Sequence, residues 1–114
     1  MQIQRGDIFY ADLYGRSGSV QHGKRPVVVL QNNKGNAHAP TTLIAPLTSQ
    51  RKKKYLPTHV LILADQVNGL SCDSVALLEQ VQTVNKDCLG HKLGHLTDMC
   101  GIDRAIRVSL GLAD

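Results

Sequence analysis

GSVQHGKRPVVVLQNN, residues 18–33, passes from a Gly-flanked cationic loop directly into an unbroken apolar run, with Arg25 and Pro26 at the junction. Pro26 sets the start of an extended segment, and Val27–Leu30 has no polar position at all. A short run of that kind suits a strand buried on both faces, and it ends at QNNKGN, a turn or a single helical turn. A strand covered on both sides needs partners, and four segments around it have strand character. Ile8–Leu13 (IFYADL) is aromatic and β-branched, and Thr41–Thr48 (TTLIAPLT) carries Pro46 as the sign of an edge or bulge near its end. Thr58–Leu63 (THVLIL) is β-rich, and Ser74–Val84 (SVALLEQVQTV) reads as one long bent strand or two short ones after the Asn68-Gly69 turn dipeptide.

Five or six short strands are placed in this way. At the C-terminal end, Met99, Ile102, Ile106 and Leu110 recur at helical spacing, with Thr97 as N-cap and Gly111 as the stop. The expected architecture is therefore mainly β with a C-terminal α-helix, a small and strongly bent antiparallel barrel. A chain of 114 residues has room for one such domain, read as spanning 1–114, and with a single Phe and no Trp its core has to be aliphatic.

The formal net charge is +4 while only 19% of residues are charged, so the excess reflects few acids rather than basic tails. That balance suits an anionic partner or simply a basic, well-dispersed domain. Three cysteines without disulfide-scaffold density fit a reducing compartment. No apolar stretch reaches membrane-spanning length and the start MQIQRGDIFY lacks a leader pattern, so the chain is read as cytoplasmic.

Arg25 is held between a loop and a strand, and its planar fork of donors suits a phosphate. Taken singly, it reads first as an ion pair with Asp7 or Asp12. Thr48 ends its strand, where a hydroxyl can donate to a phosphorane oxygen or merely serve as a β-former. The phosphate reading requires both side chains to meet in one cleft. His22 is a candidate for proton transfer near neutral pH, against the plainer reading of an exposed loop histidine.

Arg51, Lys52, Lys53 and Lys54 form the basic tip of a hairpin, a solvated surface that would also attract a polyanion. Gln21, Asn32, Gln80 and Gln82 carry amides able to reach base edges, whereas aromatic platforms are scarce, namely Phe9, Tyr10, Tyr14 and Tyr55. Cys88, His91, His95 and Cys100 mimic a zinc set, but Gly90 and Gly94 weaken any helix that would align the histidines, and the usual knuckle spacings are missing. No metal is assigned. Glu79 stands without a second carboxylate near it in LLEQVQT, which disfavours a glycosidase.

The blocks RGDIFYADL (5–13), GSVQHGKRPVVVLQN (18–32), PTTLIAPLTSQ (40–50), LPTHV (56–60), DSVALLEQVQTV (73–84) and SLGL (109–112), in this order, resemble the MazF/PemK-type toxins, the endoribonucleases of bacterial toxin–antitoxin pairs. The resemblance covers essentially the whole chain. It implies an SH3-like barrel of the MazF/PemK/CcdB kind, a homodimer, and metal-independent, cofactor-free cleavage of single-stranded RNA at short sequences, neutralised by a MazE-like antitoxin. It also implies catalysis by Arg25 and Thr48, RNA contacts from the loop residues Ser19 and Gln21, and a groove position for Gln80. Lys24, Asn32, Arg51, Lys52, Lys53 and Gln82 complete the expected RNA-binding set. Two positions depart from the family pattern: Gln82 stands where an arginine is common, and His22 where the loop is often small. Related toxins of this fold act on DNA gyrase without cutting anything, so fold alone leaves a protein target as the alternative.

Overall fold

The computed structural model describes residues 2–13, 23–49 and 56–113. These form strands β1 (Asp7–Leu13), β2 (Gly23–Val29), β3 (Thr41–Thr48), β4 (His59–Ile62), β5 (Ser74–Leu77), β6 (Gln82–Asn85) and β7 (Leu89–His95), with helices α1 (Asn33–His38) and α2 (Cys100–Ser109). The sheet runs β4-β5-β3-β2-β1-β7, with β6 also pairing with β3, and the pairings are antiparallel. It is strongly bent and remains open between β4 and β7. The expected mainly-β architecture with a terminal helix holds, as an incompletely closed barrel.

Val27, Val28 and Val29 are fully buried, as an all-apolar strand demands. Alternation sends Val28 with Ile8, Ala45 and Leu47 into one cluster beneath α2, and Val27 and Val29 with Phe9, Leu13 and Ile44 into a second cluster on the opposite face. Burying each valine stabilises the fold by roughly 2 kcal/mol. The opening RGD block is structural: Arg5 Nε donates to the Leu30 carbonyl and its guanidinium pairs with Asp103 of α2, while Gly6 adopts φ 93°. Asp7, 4% exposed, accepts from the Gln4 amide and pairs with Lys92 at 3.3 Å.

The structure narrows some sequence expectations and changes others. QNNKGN contributes to a six-residue helix capped by Asn32, whose side chain accepts from the Gly35 amide at 2.8 Å. The Ser74–Val84 segment is two strands, separated by a 3₁₀ turn over Leu78–Gln80. Of the edge-or-bulge reading of Pro46 the edge falls away: it is buried opposite Val27, at the irregularity where the far-side partner of β3 changes from β6 to β5. Helix α2 has its N-cap position on Met99 rather than Thr97, with no side-chain cap; the Asp98 carboxylate just before it accepts from the Cys100 amide at 2.9 Å. Its C-terminus closes as expected at Gly111 (φ 75°), with Leu112 N–H donating to Arg107 O and Gly111 N–H to Val108 O.

β7 is the strand that sequence reading missed. Its two glycines look like breakers, yet Gly94 is there because backbone lies against it: a Cβ would sit 2.1 Å from the Val67 carbonyl oxygen. The opposing turn is built to the same tolerance. Gly69 has φ +70°, and its Cβ would sit 2.0 Å from the Leu93 carbonyl oxygen. Buried Asn68 holds that turn through its side chain, accepting from the Asp65 and Leu70 amides and donating to the Leu63 carbonyl. The turn is thereby locked onto β7, and the residues that follow it form one wall of the site.

Candidate active site

β3 bonds to β2 only through Ile44, Ala45 and Pro46; from Leu47 onward its partner is β5 alone. Meanwhile β2 from Gly23 to Pro26 follows β1. The two central strands therefore part at the point where the β2–β3 register, if continued, would set Arg25 opposite Thr48. A cleft of about 470 Å³ opens there, lined by both residues. Lys24, Pro26 and Tyr10 line one side of it, Leu47 and Ser49 another, and Gly69, Leu70, Ser71, Cys72, Ser74 and Leu93 the rest.

Arg25 and Thr48 are each half-buried, anchored on strands whose preceding or following residues are core. Such anchoring limits the rotamers available to a side chain at the cleft mouth. Two cationic side chains, Lys24 and Arg25, and no acidic one are among the described lining residues, so the cleft favours an anion. Of the two carboxylates considered as partners for Arg25, Asp7 is engaged by Lys92 and the Gln4 amide, and Asp12 stands opposite Lys24 across β1 and β2.

The remaining candidates distribute unevenly. Lys24 is exposed at the cleft. Asn32 is occupied as the α1 cap and is not part of the cleft lining. Gln80 ends the 3₁₀ turn and Gln82 begins β6 opposite Ile44; neither lines the cleft. Ser19, Gln21, His22, Arg51, Lys52 and Lys53 lie outside the described residues. Glu79, read as a lone carboxylate, accepts from Thr58 Oγ1 at 3.0 Å and faces His59 Nε2 at 2.9 Å. Because His59 Nδ1 accepts from the Leu56 amide, Nε2 carries the ring proton toward Glu79.

Cys88, His91, His95 and Cys100 do not converge. His91 and His95 lie on strand β7, four residues or about 13 Å apart. The Asp98 carboxylate that hydrogen-bonds Cys100 raises its thiol above the ordinary value, which opposes the thiolate a metal would need. Among the described residues no group of three or more His, Cys, Asp or Glu side chains could hold a metal ion.

Ser49, Ser71, Cys72 and Ser74 were not anticipated as cleft residues. Ser49 follows Thr48 directly in the chain, the pairing of Thr48 with Val75 brings Ser74 alongside, and Ser71 and Cys72 arrive with the turn that packs on β7.

Residues 4–110 match the family described as PemK-like, MazF-like toxin of type II toxin–antitoxin system. Endoribonuclease EndoA of Bacillus subtilis (strain 168) is 47% identical over 116 aligned positions, covering 100% of this chain and 99% of that protein. An endoribonuclease from a mycobacterial species, solved in complex with its cognate antitoxin, superposes with TM-score 0.79 at 27% identity over 98% of each chain. MazF from Deinococcus radiodurans shares the fold, with TM-score 0.81 at 22% identity over 97% of this chain and 98% of that one. An Arg-Thr cleft at the parting of two central strands, on this fold and with this degree of identity along its whole length, makes the chain a member of the PemK-like, MazF-like toxin family.

Proposed function

We propose that the Arg25–Thr48 cleft is the cleavage centre of a sequence-specific endoribonuclease toxin acting on single-stranded RNA. The observation that carries this reading is the shared cleft: the two side chains that sequence reading required to meet line one opening with a cationic rim. RNA brings its own nucleophile. The 2′-oxygen attacks the adjacent phosphorus, the 5′-oxygen leaves, and the products are a 2′,3′-cyclic phosphate and a 5′-hydroxyl.

The protein's task is to stabilise the charge that develops on the non-bridging oxygens and to manage two protons. Arg25, permanently charged, clamps those oxygens with paired donors, and Thr48 adds a hydroxyl donor. Arg25 is no base, because its guanidinium does not deprotonate in proteins. It is suited to hydrogen-bond to the leaving 5′-oxygen, which takes its proton from water. The chemistry needs no metal and no cofactor, and incubation of the protein with a defined single-stranded RNA in EDTA tests this: discrete fragments are expected, and intact RNA would overturn the reading.

Thr48→Ala should lower kcat about a hundredfold, the usual cost of one preorganised donor, with binding of uncleavable RNA little changed. Measured single-turnover rates within threefold of the wild type would remove Thr48 from the chemistry. His22 is the candidate for taking the 2′-hydroxyl proton. His22→Ala should flatten the limb of the pH–rate profile that titrates near neutrality, and an unchanged profile and rate would eliminate it.

The chain acts as a single toxin domain and as a homodimer, in the cytoplasm, under control of a cognate MazE-like antitoxin. The mycobacterial relative in complex with its antitoxin supports that partner. No helix among the described residues is long and apolar enough to cross a membrane. The gyrase-directed alternative is not favoured, since a relative 47% identical over the whole chain is an endoribonuclease.

A further inference from the structure

Next to the cleft lies a second, smaller hollow of about 250 Å³, lined by Tyr10, Ala11, Asp12, Lys24, Cys88 and Gly90. Tyr10 and Lys24 belong to both openings. They are neighbours on adjacent strands, Tyr10 pairing with Pro26 and Asp12 with Lys24 across β1 and β2. Tyr10 is 43% exposed, unusual for a large ring among neighbours that are core. Gly90 contributes no side chain to the hollow, and a Cβ there would already stand 3.3 Å from the Tyr10 carbonyl oxygen.

We propose that this hollow is a nucleotide subsite adjoining the scissile phosphate, taking one base that carries an exocyclic amino group. The proposal rests on the nuclease reading of the main cleft. A chain leaving Arg25 and Thr48 meets Lys24 and Tyr10 first, because these two residues form the shared rim. Lys24 suits the intervening phosphate, and the exposed Tyr10 ring offers a face for base stacking. Asp12 is half-buried at the hollow's edge, and a carboxylate accepts from a base amino group, cytosine N4 or adenine N6, while uracil offers only carbonyl oxygens at the corresponding position. Cys88, only partly buried, and the bare backbone of Gly90 leave room for the flat body of a base. An acidic peptide segment is a poorer occupant, because Asp12 would oppose it.

The test is cleavage of a single-stranded RNA pool by the full-length wild type, Tyr10→Ala, Tyr10→Phe and Asp12→Asn, with fragment ends sequenced and kcat and KM measured on one good substrate. Tyr10→Ala should lower kcat/KM about fivefold to a hundredfold, mainly through KM, and Tyr10→Phe should restore it, since the ring face carries the contact. Asp12→Asn should weaken the preference for an amino-bearing base at one position beside the cut and leave the other positions as they were.

Wild-type base frequencies and wild-type kcat/KM in both Tyr10→Ala and Asp12→Asn would overturn the subsite. So would losses in kcat with base frequencies unchanged, which would point to a general disturbance of the cleft. Failure of the wild type itself to cut RNA would instead sink the nuclease reading beneath it, so the two failures are distinguishable.

Discussion

Arg25→Ala is expected to lower the single-turnover cleavage rate on a single-stranded RNA by about three orders of magnitude or more, while the melting temperature stays close to that of the wild type. The size follows from removing a bidentate, charged donor pair aimed at the phosphorane, where loss of even one preorganised donor costs about a hundredfold to a thousandfold. The melting temperature should stay close because alanine keeps the backbone pairing with Ala11 across β1 and β2, and the Arg25 side chain is only half-buried at the cleft mouth. Arg25→Lys retains the charge but not the planar fork, so it should recover only part of the rate. Near-normal cleavage by Arg25→Ala would mean that the cleft works without its main cation, and the assignment would fail.

The second large effect is on stability and concerns a residue far from the chemistry in sequence. Gly94→Ala should destabilise the protein by roughly 3 kcal/mol, lowering the melting temperature by about 10 °C or more. The added methyl would stand 2.1 Å from the Val67 carbonyl oxygen and 2.6 Å from the Asn68 carbonyl carbon. Both are backbone atoms, so no rotamer change relieves the clash, and the 65–70 turn must lift from β7. That turn leads into Gly69–Cys72 on the cleft wall, so cleavage should fall with stability. Gly101→Ala is the contrast: its methyl meets Val60 Cγ1 at 3.3 Å, a side-chain tip that can yield, and alanine within a helix gains up to about 1 kcal/mol over glycine. Equal melting temperatures for Gly94→Ala and the wild type, by calorimetry, would contradict the close-packed turn.

These two residues also mark what could and could not be read from the chain. Local pattern placed Arg25 and Thr48 at strand ends, through the proline and apolar run after Arg25 and through TTLIAPLT ending where β3 ends, but only the family resemblance singled them out as a catalytic pair. Periodicity likewise placed β1, most of β4 and the body of α2. β7 was hidden because glycine in a strand signals weakness locally and close approach only in three dimensions, and nothing in LGHKLGH names the turn that presses on it. The start of α2 fell on Met99, a residue that cannot cap with its side chain, so the capping signal at Thr97 pointed two residues too early while Asp98 binds the Cys100 amide. Asn32 shows a role that sequence reading did not foresee: its side-chain oxygen caps α1 by accepting from the Gly35 amide. Ser71 and Ser74 carry no local signal, since long-range contacts deliver them to Thr48.

The central claim is that this cleft cuts RNA using the substrate's own 2′-hydroxyl and protein donors alone. Its most direct test is analysis of fragment ends after a defined single-stranded RNA is incubated with the wild-type protein in EDTA. Discrete fragments carrying a 2′,3′-cyclic phosphate on one side of each cut and a free 5′-hydroxyl on the other are predicted; uncut RNA, or fragments with 3′-hydroxyl and 5′-phosphate ends, would contradict it.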